Sequence, residues 1–265
     1  MLRIQQNSSC ENAHPYYRFK DIVHYLTKMY LKFFKKEKVI KLMKFLLLAY
    51  IIKISKAGGL NIMNEKELYA KLGELTKNKD QWKENMAFTA SFLTGQSTKI
   101  MGKSLWLLGE MGLLYPNEIS PFIEKIATFL NAKDAFLRER ALNALGRIGR
   151  ANYALVKPYW EKIFLLSTDD SPNVRLSFIW ASENIATNTP EAYEKFVSVF
   201  EKLLDDKNVR VRIEAPEMFR VLGKRKPEYV YHCLDKLKSL SENDVDRIVR
   251  IHAKGAIKAI IQNRH

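Results

Sequence analysis

One property of this chain limits its fold more than any other: stretches of one pattern recur at a fixed interval. IMGKSLWLLGEMG from Ile100, LRERALNALGRIG from Leu137, VRLSFIWASENIA from Val174, VRIEAPEMFRVLG from Val211 and VRIHAKGAIKAII from Val249 align without a gap, separated by 37, 37, 37 and 38 residues. A second series keeps the interval: Pro121 and Pro158 are 37 residues apart, as are Pro190 and Pro227. Such self-similarity marks a stacked-repeat architecture, in which each unit buries its apolar face against its neighbours. Each proline falls near the start of the helix preceding a repeated stretch, where its missing N–H is tolerated.

Each unit reads as a first helix (158–167 or 191–204, for example), a short acidic turn, and a second helix that opens Val/Leu-Arg. Glycine and proline are scarce, at 11 and 8 in 265 residues, which favours helices over sheets. The turn aspartate followed by Val-Arg and an Ala/Leu/Gly-rich helix, as in DDSPNVR (169–175) and DDKNVRVR (205–212), resembles the HEAT-repeat family. The resemblance covers roughly residues 79–265. It implies an all-α, right-handed α-solenoid of about five helix pairs, the repeat domain being 63–265 and 1–62 a separate basic segment. It says little about function, because the family consists mostly of scaffolds and adaptors with varied partners.

Projection of the second helix at about 100° per residue separates its faces. Counting the first residue of each stretch as zero, offsets 4, 8 and 11 form an apolar stripe, as in Ala141, Leu145 and Ile148 or Ala215, Phe219 and Leu222. The glycines at offset 12, Gly112, Gly149 and Gly223, allow close helix approach or end the helix. The arginine at offset 1 (Arg138, Arg175, Arg212, Arg250) points toward the buried side, where a guanidinium needs an opposite charge. The turn aspartates Asp134, Asp170, Asp206 and Asp246 are the expected partners, in a ladder between neighbouring units. That assigns these arginines to structure and removes them from any nucleic-acid patch.

Offset 6 points away from the core, with offsets 3, 10 and 13 beside it, and the HEAT resemblance places this surface on the concave side. It carries Lys103, Trp106 and Glu110, then Arg140, Asn143, Arg147 and Arg150, then Ser177, Trp180, Asn184 and Thr187, then Glu214, Glu217, Val221 and Lys224. Two outward tryptophans are informative, because large aromatics are normally buried and exposed ones mark binding surfaces. The predicted binding set is Lys103, Trp106, Glu110, Arg140, Asn143, Arg147, Arg150, Trp180 and Asn184, an aromatic–cationic–aromatic order with an acidic end at Glu214 and Glu217. The competing reading packs Trp106 and Trp180 under the N-terminal segment or against neighbouring units.

The net charge of +15 suggests a polyanion partner until its distribution is examined. Residues 1–62 hold 12 Lys/Arg and 3 Asp/Glu, leaving the rest of the chain only mildly basic, with 32 and 26. The longest apolar run of that segment, Phe45 to Ile52, has eight residues between Lys44 and Lys53, well short of the roughly 20 that span a membrane. The segment reads as a membrane-surface helix, as an extra helix on the solenoid, or as lying upstream of a true start at Met63. The last reading rests on Gly58-Gly59, whose GGN codons allow a ribosome-binding sequence about three codons before Met63. Cys10 and Cys233 form no paired framework, which makes a reducing, cytoplasmic setting the default. His232 beside Cys233 has no CxxC or HxxxH partner and reads as packing; neither a metal nor a cofactor is expected.

Phosphate-binding loops, nucleophile elbows and metalloprotease helices are absent from the sequence, which favours a non-catalytic scaffold binding a protein or peptide. The alternative is nucleic-acid binding. A family of HEAT-like alkylpurine DNA glycosylases is similar, working through concave tryptophans and a carboxylate one helical turn away. That resemblance implies roles for Trp106 and Trp180 as stacking indoles, Glu110 as a speculative catalytic carboxylate, and Arg140, Arg147 and Arg150 as phosphate contacts. It departs from that family in carrying Glu for Asp and in the regularity of its repeat. A role on a bilin-carrying protein, as lyase or chaperone, ranks last, resting on the shared repeat alone.

Overall fold

The structure is a computed structural model that describes residues 63–263. The readings of the basic segment 1–62 lie outside the described residues. Among those described, the elements are helices and turns, without a strand.

The first helix, α1 (Glu65–Lys77), starts at a capping box: the Asn64 side chain accepts from the Glu67 backbone N–H at 3.0 Å, and Glu67 accepts from that of Asn64 at 3.0 Å. Then come α2 (Trp82–Ser91), α3 (Thr98–Leu114), α4 (Pro116–Ile119), α5 (Ile123–Thr128), α6 (Ala135–Ala151), α7 (Trp160–Leu165), α8 (Pro172–Ala186), α9 (Val197–Leu203), α10 (Val209–Gly223), α11 (Leu234–Asn243) and α12 (Arg247–Gln262). The five repeated stretches are the long second helices α3, α6, α8, α10 and α12, packed side by side in chain order.

The first helices depart from expectation. The stretch 158–167 is not one α-helix: it runs as a 3₁₀ turn over Lys157–Tyr159, then α7, then a second 3₁₀ turn over Leu166–Thr168. Likewise 191–204 divides into a 3₁₀ segment Pro190–Phe196 and α9. A proline at the first or second position supplies no N–H, and the tighter turn closes around it. Interior packing holds these broken helices in place. Trp160 lies edge-on to Tyr153 and Tyr193 at 5.1 and 5.2 Å, Phe164 meets Phe178 at 5.2 Å, and Phe178 stacks on Phe200 at 5.3 Å.

The Arg–Asp ladder exists for three of the four arginines, and of the four expected aspartates only Asp206 is a partner. Arg138 pairs with Asp169 at 2.7 Å, Arg175 with Asp206 at 2.6 Å, and Arg212 with Asp244 at 2.8 Å. Asp169 and Asp244 therefore replace the expected Asp170 and Asp246. The reason is local. Each ladder aspartate accepts the backbone N–H two residues on (Ser171, Asn208, Asp246), which aims its carboxylate at the preceding unit. Asp134 and Asp246 instead cap their own helices, accepting from Phe136 at 2.9 Å and Ile248 at 2.7 Å. Each arginine also donates to carbonyls of its own turn, as Arg175 does to Asp169 O at 2.6 Å. Arg250 keeps only those, donating to the carbonyls of Asp244 and Val245.

Glycines set the spacing between second helices. A Cβ on Gly109 would lie 2.6 Å from Ala144 Cα, and one on Gly146 would lie 2.5 Å from Ala181 Cα, so neighbouring backbones nearly touch. These two sit at offset 9. Glu183 takes that position in α8, and α8 and α10 pack less extensively than the other adjacent second helices. The offset-12 glycines serve close approach as well: a Cβ on Gly112 would meet Ile148 Cγ1 at 2.5 Å.

Candidate binding surface on the second helices

At the N-terminal end of this face, three cations lie over three rings. Lys99 Nζ sits 4.4 Å from the Tyr69 ring centroid, Lys103 Nζ 4.5 Å from Trp106, and the Arg140 guanidinium carbon 4.9 Å from Phe136. With Gly102 these six side chains line a cavity of about 280 Å³ between α1, α3 and α6. Gly102 makes room for the Phe136 ring, since a Cβ there would lie 2.2 Å from Phe136 Cε1. Burial, and then the nearby Arg140, push the Lys103 ammonium below its usual range. The Nε of Arg140 is buried without a hydrogen bond, its nearest carboxylate being Glu139 at 3.9 Å.

The middle of the face is largely occupied with itself. Glu110 forms an ion pair with Arg147 across the α3–α6 joint. Asn143 donates to Ser177 Oγ at 3.3 Å across the next joint, and Arg147 donates to the Asn143 carbonyl at 3.3 Å. Asn184 donates to the Trp180 carbonyl at 2.9 Å. Arg150 is exposed. Trp180 presents its side chain to solvent at 38% exposure, whereas Trp106 is half-buried against the core beneath Lys103. The two tryptophans are thus not equivalent.

Toward the C-terminal end carboxyl groups replace the cations. Glu183 is pushed up to about 9 by burial first, then by the carboxylates of Glu214 and Glu217, with Arg220 opposing. Glu217 is itself raised, chiefly by burial, although it pairs with Arg220 and lies 2.9 Å from His252 Nδ1. Two residues predicted to face outward, Ser177 and Glu217, are buried. Side-by-side packing of the second helices covers part of what a single-helix projection leaves open.

The family of sister chromatid cohesion protein PDS5 has a sequence model that matches residues 31–261. The chain belongs to the PDS5 family. No curated protein matches it. Solved structures with the same fold include a designed armadillo repeat protein, YIII(Dq)4CqI, with a TM-score of 0.56 at 17% identity, covering 76% of this chain and 96% of that one. An engineered protein aligns with a TM-score of 0.60 at 20% identity, over 77% and 96%. A designed armadillo repeat protein in complex with the peptide (KR)4 gives 0.59 at 18%, over 76% and 95%. At these identities the likeness establishes the solenoid and nothing about the site.

Of the predicted binding residues in this PDS5-family chain, only Lys103, Trp106 and Arg140 share a cavity. Sequence reasoning missed Tyr69, Lys99 and Phe136. Tyr69 lies on α1, outside the repeat register, and Lys99 and Phe136 each precede position zero by one residue. Glu201, His232 and Cys233, the last two read as packing, bring one donor atom each within 4.8 Å of one another. Burial, and then a hydrogen bond with Glu201, push the Cys233 thiol up, which keeps it neutral. Among the described residues no helix is long and apolar enough to cross a membrane.

Proposed function

We propose that this solenoid is an adaptor that docks a protein or peptide segment along its second-helix face. The observation that carries the reading is the change of charge along that face, from Lys99, Lys103 and Arg140 to the carboxylates of Glu214 and, paired with Arg220, Glu217. A nucleic acid is uniformly anionic, so a backbone that gained at the first end would be repelled at the second. A peptide can match both ends, and Trp180 between them supplies the exposed aromatic that anchors such contacts. The glycosylase-like alternative loses its support at Glu110, whose carboxylate is paired with Arg147. Because the family's namesake is a sister chromatid cohesion protein, subunits of chromosome-associated assemblies are where to seek the partner.

The test is affinity of the full chain for such a partner before and after nuclease treatment, with wild type and Trp180→Ala. The expected outcome is nuclease-insensitive binding weakened by about 2 kcal/mol or more in the variant. The variant should keep its helical circular dichroism and a cooperative melt, since the ring is partly open to solvent and outside the core. Affinity for duplex or single-stranded DNA that falls steeply with salt and depends on Trp180 would instead make this a nucleic-acid protein.

A further inference from the structure

We propose that the cavity formed by Tyr69, Lys99, Lys103, Trp106, Phe136 and Arg140 is a receptor for the carboxylates of an acidic peptide segment. The inference rests on the docking reading above and gives the partner its chemistry.

Three side-chain cations converge on about 280 Å³, and none of the residues lining it is acidic. Crowding like charges costs free energy unless an anion joins them, and Lys103 is lowered in proton affinity by burial first and then by Arg140 beside it. Tyr69, Trp106 and Phe136 hold the three cations in place. Such preorganisation lowers the entropic cost of binding. The buried Nε of Arg140 is a donor without an acceptor, and an incoming oxygen would satisfy it.

The cation at the centre of this face and the ladder arginines on the buried side are engaged. Arg147 is held by Glu110, and the ladder arginines Arg138, Arg175 and Arg212 are held by aspartates. The cavity therefore gathers three cations with no carboxylate among the described residues nearer than Glu139 at 3.9 Å from Arg140, whereas Arg150 and Lys224 stand on the open surface. Its size falls just below the roughly 300–1,000 Å³ usual for small-molecule sites, which suits one or two side chains of a partner. The extent of the anion is bounded as well. Two repeats further on, roughly 20 Å at about 8–10 Å per helix, the carboxylates of Glu214 and Glu217 replace the cations. A partner passing along it must lose its negative charge within about six extended residues. A short acidic run does so; a polynucleotide does not.

Calorimetric titration of the full chain with a tetraglutamate peptide, inorganic phosphate and a single-stranded oligonucleotide tests this. Saturable binding of tetraglutamate is expected, about tenfold weaker in Lys103→Gln and in Arg140→Gln and unchanged in Lys238→Gln, an exposed lysine on α11. Unaltered circular dichroism of the variants confirms folding, and Lys103→Gln alone carries the comparison should Arg140→Gln not fold. Tetraglutamate that fails to bind at millimolar concentration, or binds the two variants as well as wild type, overturns the proposal. Binding of phosphate or oligonucleotide with this dependence, and not of tetraglutamate, overturns the assignment to carboxylates. A protein partner lost in Trp180→Ala but retained in Lys103→Gln removes this cavity while leaving the docking reading in place.

Discussion

Glu183 occupies a position at which two earlier units have glycine, and it carries a carboxyl into a joint already shared by Glu214 and Glu217. Its ordinary value of 4.5 is raised to about 9, so between these limits the unfolded chain loses a proton that the folded chain keeps. The unfolded state binds fewer protons there, and this group's contribution to stability falls as pH rises through that window. Melting temperatures from pH 5 to 9 should decline in the wild type and decline less in Glu183→Gln. The groups facing it, Glu214, Glu217, Arg220 and Tyr193, are unchanged in the variant. The ladder acts at the opposite limit. Arg212 holds the Asp244 carboxyl below its usual range, so the stability it provides is present above the ordinary carboxylate value and lost as pH falls through the depressed one. Arg175 and Asp206 are 7% and 8% exposed, so Arg175→Ala leaves a carboxylate buried alone and should cost about 3–5 kcal/mol in urea denaturation. Arg175→Met with Asp206→Leu should recover most of that loss, since a buried pair replaced whole is nearly neutral.

At the scale of the element, the solenoid is held together by close approach of its second helices. Gly146 is the sharpest case, because a Cβ there meets backbone atoms of Ala181, which cannot swing aside. Gly146→Ala gains about 1 kcal/mol of helix propensity. It should still lower stability by a net 1 kcal/mol or so, the helices being forced apart. A urea midpoint that rises in this variant would show that the joint has slack. The glycines at offset 12 were legible in the sequence as packing positions. Those at offset 9 were not, because only two units keep them and the third replaces glycine with Glu183.

For the whole molecule, a stack whose units contact only their neighbours has a stability that sums over joints. The α8–α10 joint lacks the glycine contact and houses a buried acid, so it is the place for cooperativity to break. Native-state hydrogen exchange should show α3, α6 and α8 opening as one block and α10 with α12 as another. Gly146→Ala should speed exchange in the first block more than in the second. A single protection level across all five second helices would mean that the joint transmits fully. The proposed acidic-segment receptor lies wholly within the first block, between α1, α3 and α6.

The amino-acid order alone determined the period, the helical class, the second helices to within two residues of their starts and the arginine side of the ladder, because each is a local pattern repeated until chance is excluded. It put both tryptophans at offset 6 and left open which was covered; the fold leaves Trp180 partly exposed and half-buries Trp106. Tertiary structure decided what depends on distances between chains of residues far apart in sequence. It selected Asp169 over Asp170, since a backbone N–H in the turn orients one carboxylate and not its neighbour. It divided the first helices into 3₁₀ and α segments and buried Ser177 and Glu217 beneath the adjacent units. And it gathered Tyr69 from α1, Lys99 from α3 and Phe136 from α6 around Lys103, Trp106 and Arg140. A helical projection cannot show such a grouping, because it carries no information about which helix lies alongside or how closely glycine lets it approach.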